Sequence, residues 1–311
     1  MTLLMTAYLI IDAGGTFLKS GVLGQSGNVF EDSIFSIPSY SEGSKDQILR
    51  AFEKTMSNGI NYMEKKNMVL HGIGIAFPGP FDIVHATPLM QHKFHSIYGI
   101  NLRECFYEIT GISRSIPIQF IHDANAVLLG ELWNGNAQGF DNTAVVTLGT
   151  GLGFAISQKG KILCNKIGGP FLSIFKMPYK EGILEDYTAK RGFVRLYKEL
   201  SGQCNDSITV LDIGQLAEKG DQAALQTFKK VGEILADALH GILCERKIEC
   251  LLFCGQISRS FQFLEASLRE GLKDVESLKR ISVVKSIDYA AFFGVYRSME
   301  LSNTLISSQI M

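Results

Sequence analysis

Two carboxylates and two glycine-rich turns are the parts of this 311-residue sequence equipped for chemistry. The first turn, Asp12-Ala13-Gly14-Gly15-Thr16, follows a short apolar run. Glycine lets backbone N–H groups approach phosphate oxygens because no Cβ stands between them. Thr16 adds a hydroxyl, and Lys19 brings a positive charge within reach. A Gly-Gly turn that merely joins two strands looks the same. What argues for more is the acid at its entrance, since Asp12 would repel a phosphate unless Mg²⁺ lay between them. The second turn, Gly149-Thr150-Gly151-Leu152-Gly153, lacks a Gly-Lys-Ser/Thr and does not open a helix as a dinucleotide fingerprint does. It reads either as a glycine hairpin or as a second phosphate contact. Two such turns in one chain point to a nucleotide whose phosphates are held from both sides. Gly255, after an apolar run, either flanks a base or ribose or is a simple turn. Asp123 stands in Ile121-His122-Asp123-Ala124-Asn125-Ala126. There it is either a ligand-facing acid at the carboxyl end of a strand or a helix N-cap.

The surrounding pattern says what must hold these residues. Tyr8–Ile11, Lys19–Leu23 and Val29–Ile37 read as strands, the last two joined by the turn Gly24-Gln25-Ser26-Gly27-Asn28. Ser44 can cap a helix in which Ile48, Leu49, Phe52, Met56, Ile60 and Met63 fall at three- and four-residue spacing. Strands are expected at Leu70–Phe77 and Ile116–Ile121, with a helix at Leu102–Thr110 between them. Thr143–Leu148 and Phe154–Ser157 flank the second glycine turn and echo the start of the chain, which suggests two related halves. Helices dominate from Glu185, most clearly Gln222–Arg246; Leu251–Cys254 and Ile281–Val284 are late strands. Ser258 is expected to cap the helix after the first of these, Tyr289–Met299 to form the last helix, and Ser302–Met311 to fray. Alternating strands and helices make the class α/β.

Composition narrows the partners. With 46% hydrophobic and 20% charged residues the chain can bury a real core, and length alone suggests about two domains. Thirty basic and 31 acidic residues leave a net charge of −1, which is not the footprint of a nucleic-acid or anionic-membrane binder. No targeting segment or stretch of ~20 apolar residues occurs, so a cytoplasmic protein is expected. Cys105, Cys164, Cys204, Cys244, Cys250 and Cys254 form no Cys-x-x-Cys pair and read as free thiols. His85, His92, Lys93 and His95 cluster in sequence without the spacing of a standard metal site, and read as residues at a cleft entrance. Trp133 reads as core.

Taken together, Asp12–Thr16, Asp123 in its Asp-Ala-Asn-Ala run and Leu148–Gly153 resemble the phosphate, catalytic and second phosphate motifs of the ROK (repressor, open reading frame, kinase) sugar kinases. Phe77-Pro78-Gly79-Pro80-Phe81-Asp82 and Phe253-Cys254-Gly255-Gln256-Ile257-Ser258 resemble two further segments, and all five occur in the family's order across Tyr8–Ser298. The resemblance implies two actin-like, ribonuclease H-like α/β lobes closing on ATP-Mg²⁺ and a sugar, with the lobes at 1–122 plus 288–311 and at 123–287. It makes Asp123 the general base for a sugar hydroxyl, and Asp12 the acid that holds Mg²⁺, through water. Gly14, Gly15 and Thr16 would meet the γ-phosphate, with Lys19 nearby; Gly149, Thr150 and Gly151 would take the other phosphates. Gly255 would border the adenosine, and Gly79 would present its backbone to the sugar. Small-molecule partners only, and a homodimer, are expected from the same likeness.

Three departures bear on substrate. Many family members carry a cysteine-rich zinc segment and a histidine at the sugar's anomeric side, whereas Lys166–Glu185 holds neither residue type, so no structural zinc is expected. Glu185 either continues the family's glutamate after that segment or is an acid favoured at a helix start. His122 stands where asparagine is usual and can still hydrogen-bond a sugar hydroxyl, while Gln256 replaces a glycine beside the adenosine segment. An open anomeric side suits a β-glucoside as well as a hexose or hexose derivative, phosphorylated at the 6-hydroxyl. The alternatives are a kinase for N-acetylmannosamine and a sensor that binds sugar without catalysis. The family's DNA-binding repressors carry a helix-turn-helix before the first phosphate motif; Asp12 comes too early for one, so that branch is not expected.

Overall fold

The computed structural model describes residues 5–202 and 207–309; Cys204 lies outside them, and the other five cysteines are free. Two compact units emerge: Met1–Asn134 with Cys164–Pro170 and Ala291–Met311, and Gly135–Leu163 with Phe171–Ala290.

The first unit contains β1 (Met5–Ala13), β2 (Phe17–Gly24), β3 (Val29–Pro38), α1 (Lys45–Lys65), β4 (Met68–Phe77), β5 (Phe81–Asp82), β6 (Thr87–Pro88), α2 (Leu102–Thr110), β7 (Ile118–His122) and α3 (Asp123–Asn134). Its sheet runs in the order β3-β2-β1-β4-β7. The β1–β2 and β2–β3 pairs are antiparallel; β1–β4 and β4–β7 are parallel. Residues 7–11 of β1 are buried on both faces, as the continuous apolar run Ala-Tyr-Leu-Ile-Ile requires. Ser44 caps α1 in a reciprocal box with Gln47, and Ile48, Phe52, Met56 and Met63 form the buried stripe. That stripe meets an aromatic cluster in which the Phe77 ring lies 4.7 Å from Phe81 and 5.1 Å from Phe94.

The second unit contains β8 (Thr143–Leu148), β9 (Leu152–Gln158), β10 (Lys161–Ile162), β11 (Pro178–Tyr179), β12 (Gly182–Ile183), α4 (Leu184–Thr188), α5 (Lys190–Ser201), α6 (Val210–Glu218), α7 (Gln222–Glu245), β13 (Cys250–Cys254), α8 (Gln262–Gly271) and β14 (Arg280–Val283). Its sheet order is β10-β9-β8-β13-β14, again with an antiparallel hairpin beside a parallel pair. The echo between the two glycine turns is therefore an echo of whole sheets. Phe193, Phe228, Leu235 and Leu239 pack a separate core over this second sheet.

The chain returns to the first unit through α9 (Ala290–Gln309), so the tail expected to fray from Ser302 is helical to Gln309. Here α9 lies backbone-close to α3: a Cβ on Gly294 would sit 1.7 Å from the Ala126 carbonyl oxygen. Trp133 on α3 packs 5.4 Å from the Tyr296 ring on α9. A second correction concerns Ser258, which caps nothing. Gln256–Ser260 form a 3₁₀ turn, Ser258 Oγ donates back to the Cys254 carbonyl at 2.8 Å, and α8 opens at Phe261 without a side-chain cap.

Candidate active site

The parallel strands β1, β4 and β7 deliver three sequence motifs to one end of the first sheet. Register pairs Asp12 with Ala76 and Phe77 with His122, so the Asp12 turn, the Pro78-Gly79-Pro80 loop and the His122-Asp123 pair leave the sheet side by side. This is the carboxyl end, where α/β sheets bind ligands. Across the antiparallel side, Asp12 pairs with Lys19, which places both side chains on one face. The Lys19 ammonium also lies 5.7 Å over the Phe292 ring of α9.

Asp123 is the first residue of α3 rather than its cap. Its Oδ1 accepts the Ala124 N–H at 2.7 Å and lies 2.8 Å from His122 Nδ1. The Ala124 N–H also lies 3.3 Å from Nδ1, so Nδ1 is engaged within the pair whichever tautomer the ring takes. The other ring nitrogen faces the Pro-Gly-Pro loop: a Cβ on Gly79 would meet His122 Nε2 at 2.5 Å, so a side chain there would displace the ring. The expected sugar contact of His122 is thus restricted to Nε2. Burial pushes the Asp123 carboxyl up, but His122, the Ala124 N–H and Lys93 outweigh it and hold the group below the usual carboxylate range. Asp12 goes the other way. Burial and the nearby Asp123 charge push it up to about 7, against the opposing pull of Lys19. A carboxylate facing a second carboxylate is a place short of positive charge. Mg²⁺ binds through one or two carboxylates and keeps its other positions for water and phosphate, so Asp12 beside Asp123 fits it. No cluster of three or more His, Cys, Asp or Glu able to hold a metal occurs among the described residues.

The turn after β1 is a braced cradle. The Gly14 N–H closes it on the Phe17 carbonyl at 2.9 Å, which leaves the N–H groups of Gly15 and Thr16 as its donors toward a ligand. The Gly15 carbonyl is held from behind by Ser39 Oγ at 2.8 Å and Ser41 Oγ at 2.5 Å. Thr16 is exposed, and its carbonyl accepts the Ser39 N–H at 3.0 Å. In front of Gly15 lies Lys93. A Cβ on Gly15 would meet Lys93 Cδ at 3.2 Å and Nζ at 3.6 Å. The sequence grouped Lys93 with the histidines around it; no local signal marks its approach to a turn 78 residues earlier. Those histidines go elsewhere: His85 bonds Asp82 at 2.8 Å, and His92 and His95 are exposed.

The second unit repeats the device. The Gly149 N–H closes its turn on the Gly151 carbonyl at 3.0 Å, and the Gly149 carbonyl accepts the Lys190 N–H at 3.0 Å. Thr150 is exposed at the tip. Glu185, second residue of α4, accepts the Leu152 N–H through Oε2 at 2.8 Å, so it braces this turn, and its other oxygen lies 3.7 Å from Arg191. Gly255 follows β13 with φ of 94°, and a Cβ there would meet the Leu148 carbonyl oxygen at 2.2 Å. Only glycine permits this approach to the strand that feeds the turn.

A profile of the ROK family matches residues 8–170. This chain is a member of the ROK family. It is similar to a glucokinase of Thermotoga maritima, at 24% identity over 85% of this chain and 86% of that protein. It also matches a β-glucoside kinase of Listeria monocytogenes, at 29% identity over 64% of this chain and 65% of the relative. Among solved structures, a ROK family glucokinase from Streptomyces griseus in complex with glucose and AMPPNP superposes with a TM-score of 0.77 at 20% identity, covering 94% of this chain and 98% of that one. The fold is that of the actin-like ATPases, as the two matching sheets require.

Proposed function

We propose that this ROK protein is an ATP-dependent sugar kinase that phosphorylates a hydroxyl, the 6-hydroxyl in a hexose, with Asp123 as general base. The observation that carries this reading is an Asp123 carboxylate held ionised at the sheet end beside the Gly14-Gly15 cradle. At neutral pH it is free to accept a proton. The sugar oxygen attacks the γ-phosphorus as its proton passes to Asp123; the bond from that phosphorus to the bridging oxygen breaks, and ADP leaves with the electron pair. The transition state is loose, so positioning and charge do most of the work. His122 fixes the orientation of Asp123, Gly15 and Thr16 present N–H groups to phosphate, and Thr150 and Gly151 would serve the remaining phosphates. Asp12 would hold Mg²⁺, whose chemistry here is charge neutralisation on phosphate. Gly79 and Glu185 border the sugar in this reading, and Gly255 the adenosine.

For the substrate we favour a hexose or β-glucoside, because 166–184 carry neither the cysteines nor the histidine that would close the anomeric side. The names of relatives at this distance span glucokinase, β-glucoside kinase and N-acetyl-D-glucosamine kinase. The test is ATP consumption with Mg²⁺ over glucose, mannose, N-acetylmannosamine, N-acetylglucosamine, fructose, cellobiose and an aryl β-glucoside. Turnover on cellobiose or the aryl glucoside above that on glucose supports the open anomeric side. Equal or better turnover on glucose removes its motive.

A further inference from the structure

We propose that Lys93 is a catalytic residue of this chain, its ammonium contacting the phosphoryl group in transfer at the Gly15 turn. The inference rests on the kinase reading above and adds to it a residue that the sequence motifs do not mark.

Three observations carry it. The first is position. The Lys93 stem runs along the open side of Gly15, with Cδ, Cε and Nζ at 3.2, 3.3 and 3.6 Å from the point where a Cβ would stand. The Lys93 side chain therefore lies against the Gly15 turn, on the side where any other residue would place its Cβ. The second is rigidity. Phe94, the next residue, is fully buried, adopts a left-handed backbone with φ of 52°, and donates its N–H to the Ser41 carbonyl at 2.6 Å. Ser41 in turn holds the Gly15 carbonyl through Oγ at 2.5 Å. Two hydrogen bonds and an aromatic anchor thus tie the backbone at Lys93 to the cradle it faces, and a lysine serving only solubility needs no such anchoring. The third is charge. Lys93 is half-buried, and among the described residues no carboxylate lies within ion-pair distance of its ammonium. A partly desolvated cation without a carboxylate partner is stabilised when an anion arrives. Its field does reach Asp123, which it helps hold ionised. Lysine suits a phosphoryl group whose geometry changes during transfer, because a compact ammonium follows charge without demanding a fixed fork.

The test uses the full chain and the variants Lys93→Met and Lys93→Arg. Binding of AMPPNP and of ADP, each with Mg²⁺, is measured by calorimetry, alongside kcat and KM on the best sugar. Lys93→Met is expected to lose about tenfold or more in AMPPNP affinity while ADP affinity stays within about twofold. Its kcat falls by roughly 10²–10³-fold with the sugar KM nearly unchanged. Lys93→Arg keeps the charge and recovers part of both. If Lys93→Met does not fold, Lys93→Gln replaces it. Equal loss of AMPPNP and ADP affinity, or wild-type kcat in the uncharged variant, overturns the role while leaving the kinase reading standing. A wild-type chain that binds neither nucleotide and consumes no ATP with any sugar overturns that reading, and this role with it.

Discussion

Asp12 near the end of β1 and Asp123 directly after β7 flank the end of β4, and their carboxyl groups are driven in opposite directions. His122, the Ala124 N–H and Lys93 keep Asp123 ionised against its burial, as a base must be. Asp123→Asn keeps the shape and removes the proton acceptor. We expect it to fold, to bind AMPPNP as the wild type does, and to lose roughly 10²–10⁴ in kcat. Asp12 carries the cost of the shared site. Its folded pKa of about 7 stands above the unfolded value of 3.8, so between those limits the folded chain binds the extra proton. On account of this group, stability is highest below about pH 4 and is lost as pH rises from there through 7. The whole shift corresponds to about 4 kcal/mol, less what solvent at the half-buried carboxyl screens. In EDTA, Asp12→Asn should therefore melt higher than wild type at pH 8, with the gap narrowing at pH 5 and closing below about pH 4. An unchanged melting temperature at pH 8 would show that burial and the neighbouring Asp123 do not strain Asp12. Both acids could be singled out in the sequence, Asp12 at a glycine turn and Asp123 at a strand end, where a helix N-cap stood as the alternative. Their opposite shifts were not legible, since they depend on side chains brought together by the sheet.

At the scale of elements, most strands and helices follow directly from pattern. Ser44 and the apolar spacing from Ile48 to Met63 announce α1, and Leu102–Thr110 forms the expected helix to the residue. Where the reading failed, a local signal was outbid by backbone geometry. Ser258 looked like a cap, but Gly255 packs so close to β8 that a Cβ on it would lie 2.2 Å from the Leu148 carbonyl oxygen, and the chain tightens into a 3₁₀ turn directly after it. Lys93 and the bracing serines Ser39 and Ser41 were missed for a related reason: loop residues far apart in sequence carry no periodicity. The α3–α9 contact gives the sharpest test of packing. Gly294→Ala would drive a methyl into the Ala126 carbonyl, and the helices cannot part without disturbing Trp133 on Tyr296. We expect a loss of about 3 kcal/mol or more, read by denaturant unfolding, with Trp133 fluorescence shifting to the red. A loss below about 1 kcal/mol would mean that α9 does not pack this closely.

At the scale of the molecule, one design appears twice. Each unit sets an antiparallel hairpin beside parallel strands, closes a glycine turn on its first amide, and braces that turn from outside: by Ser39 and Ser41 in the first, by Lys190 and Glu185 in the second. Among the described residues, the first unit alone adds the paired acids and Lys93. In the proposed reading the first unit would therefore carry the general base and the Mg²⁺ ligand. Phosphorus NMR of ATP and Mg²⁺ with the sugar panel, run on wild type and Asp123→Asn side by side, tests this most directly. We predict a new sugar-phosphate resonance growing with ADP in the wild type on one preferred sugar, and none in Asp123→Asn over the same time. Sugar phosphate formed at the same rate in both would contradict the account, because the carboxylate placed at its centre would then have no part in the reaction.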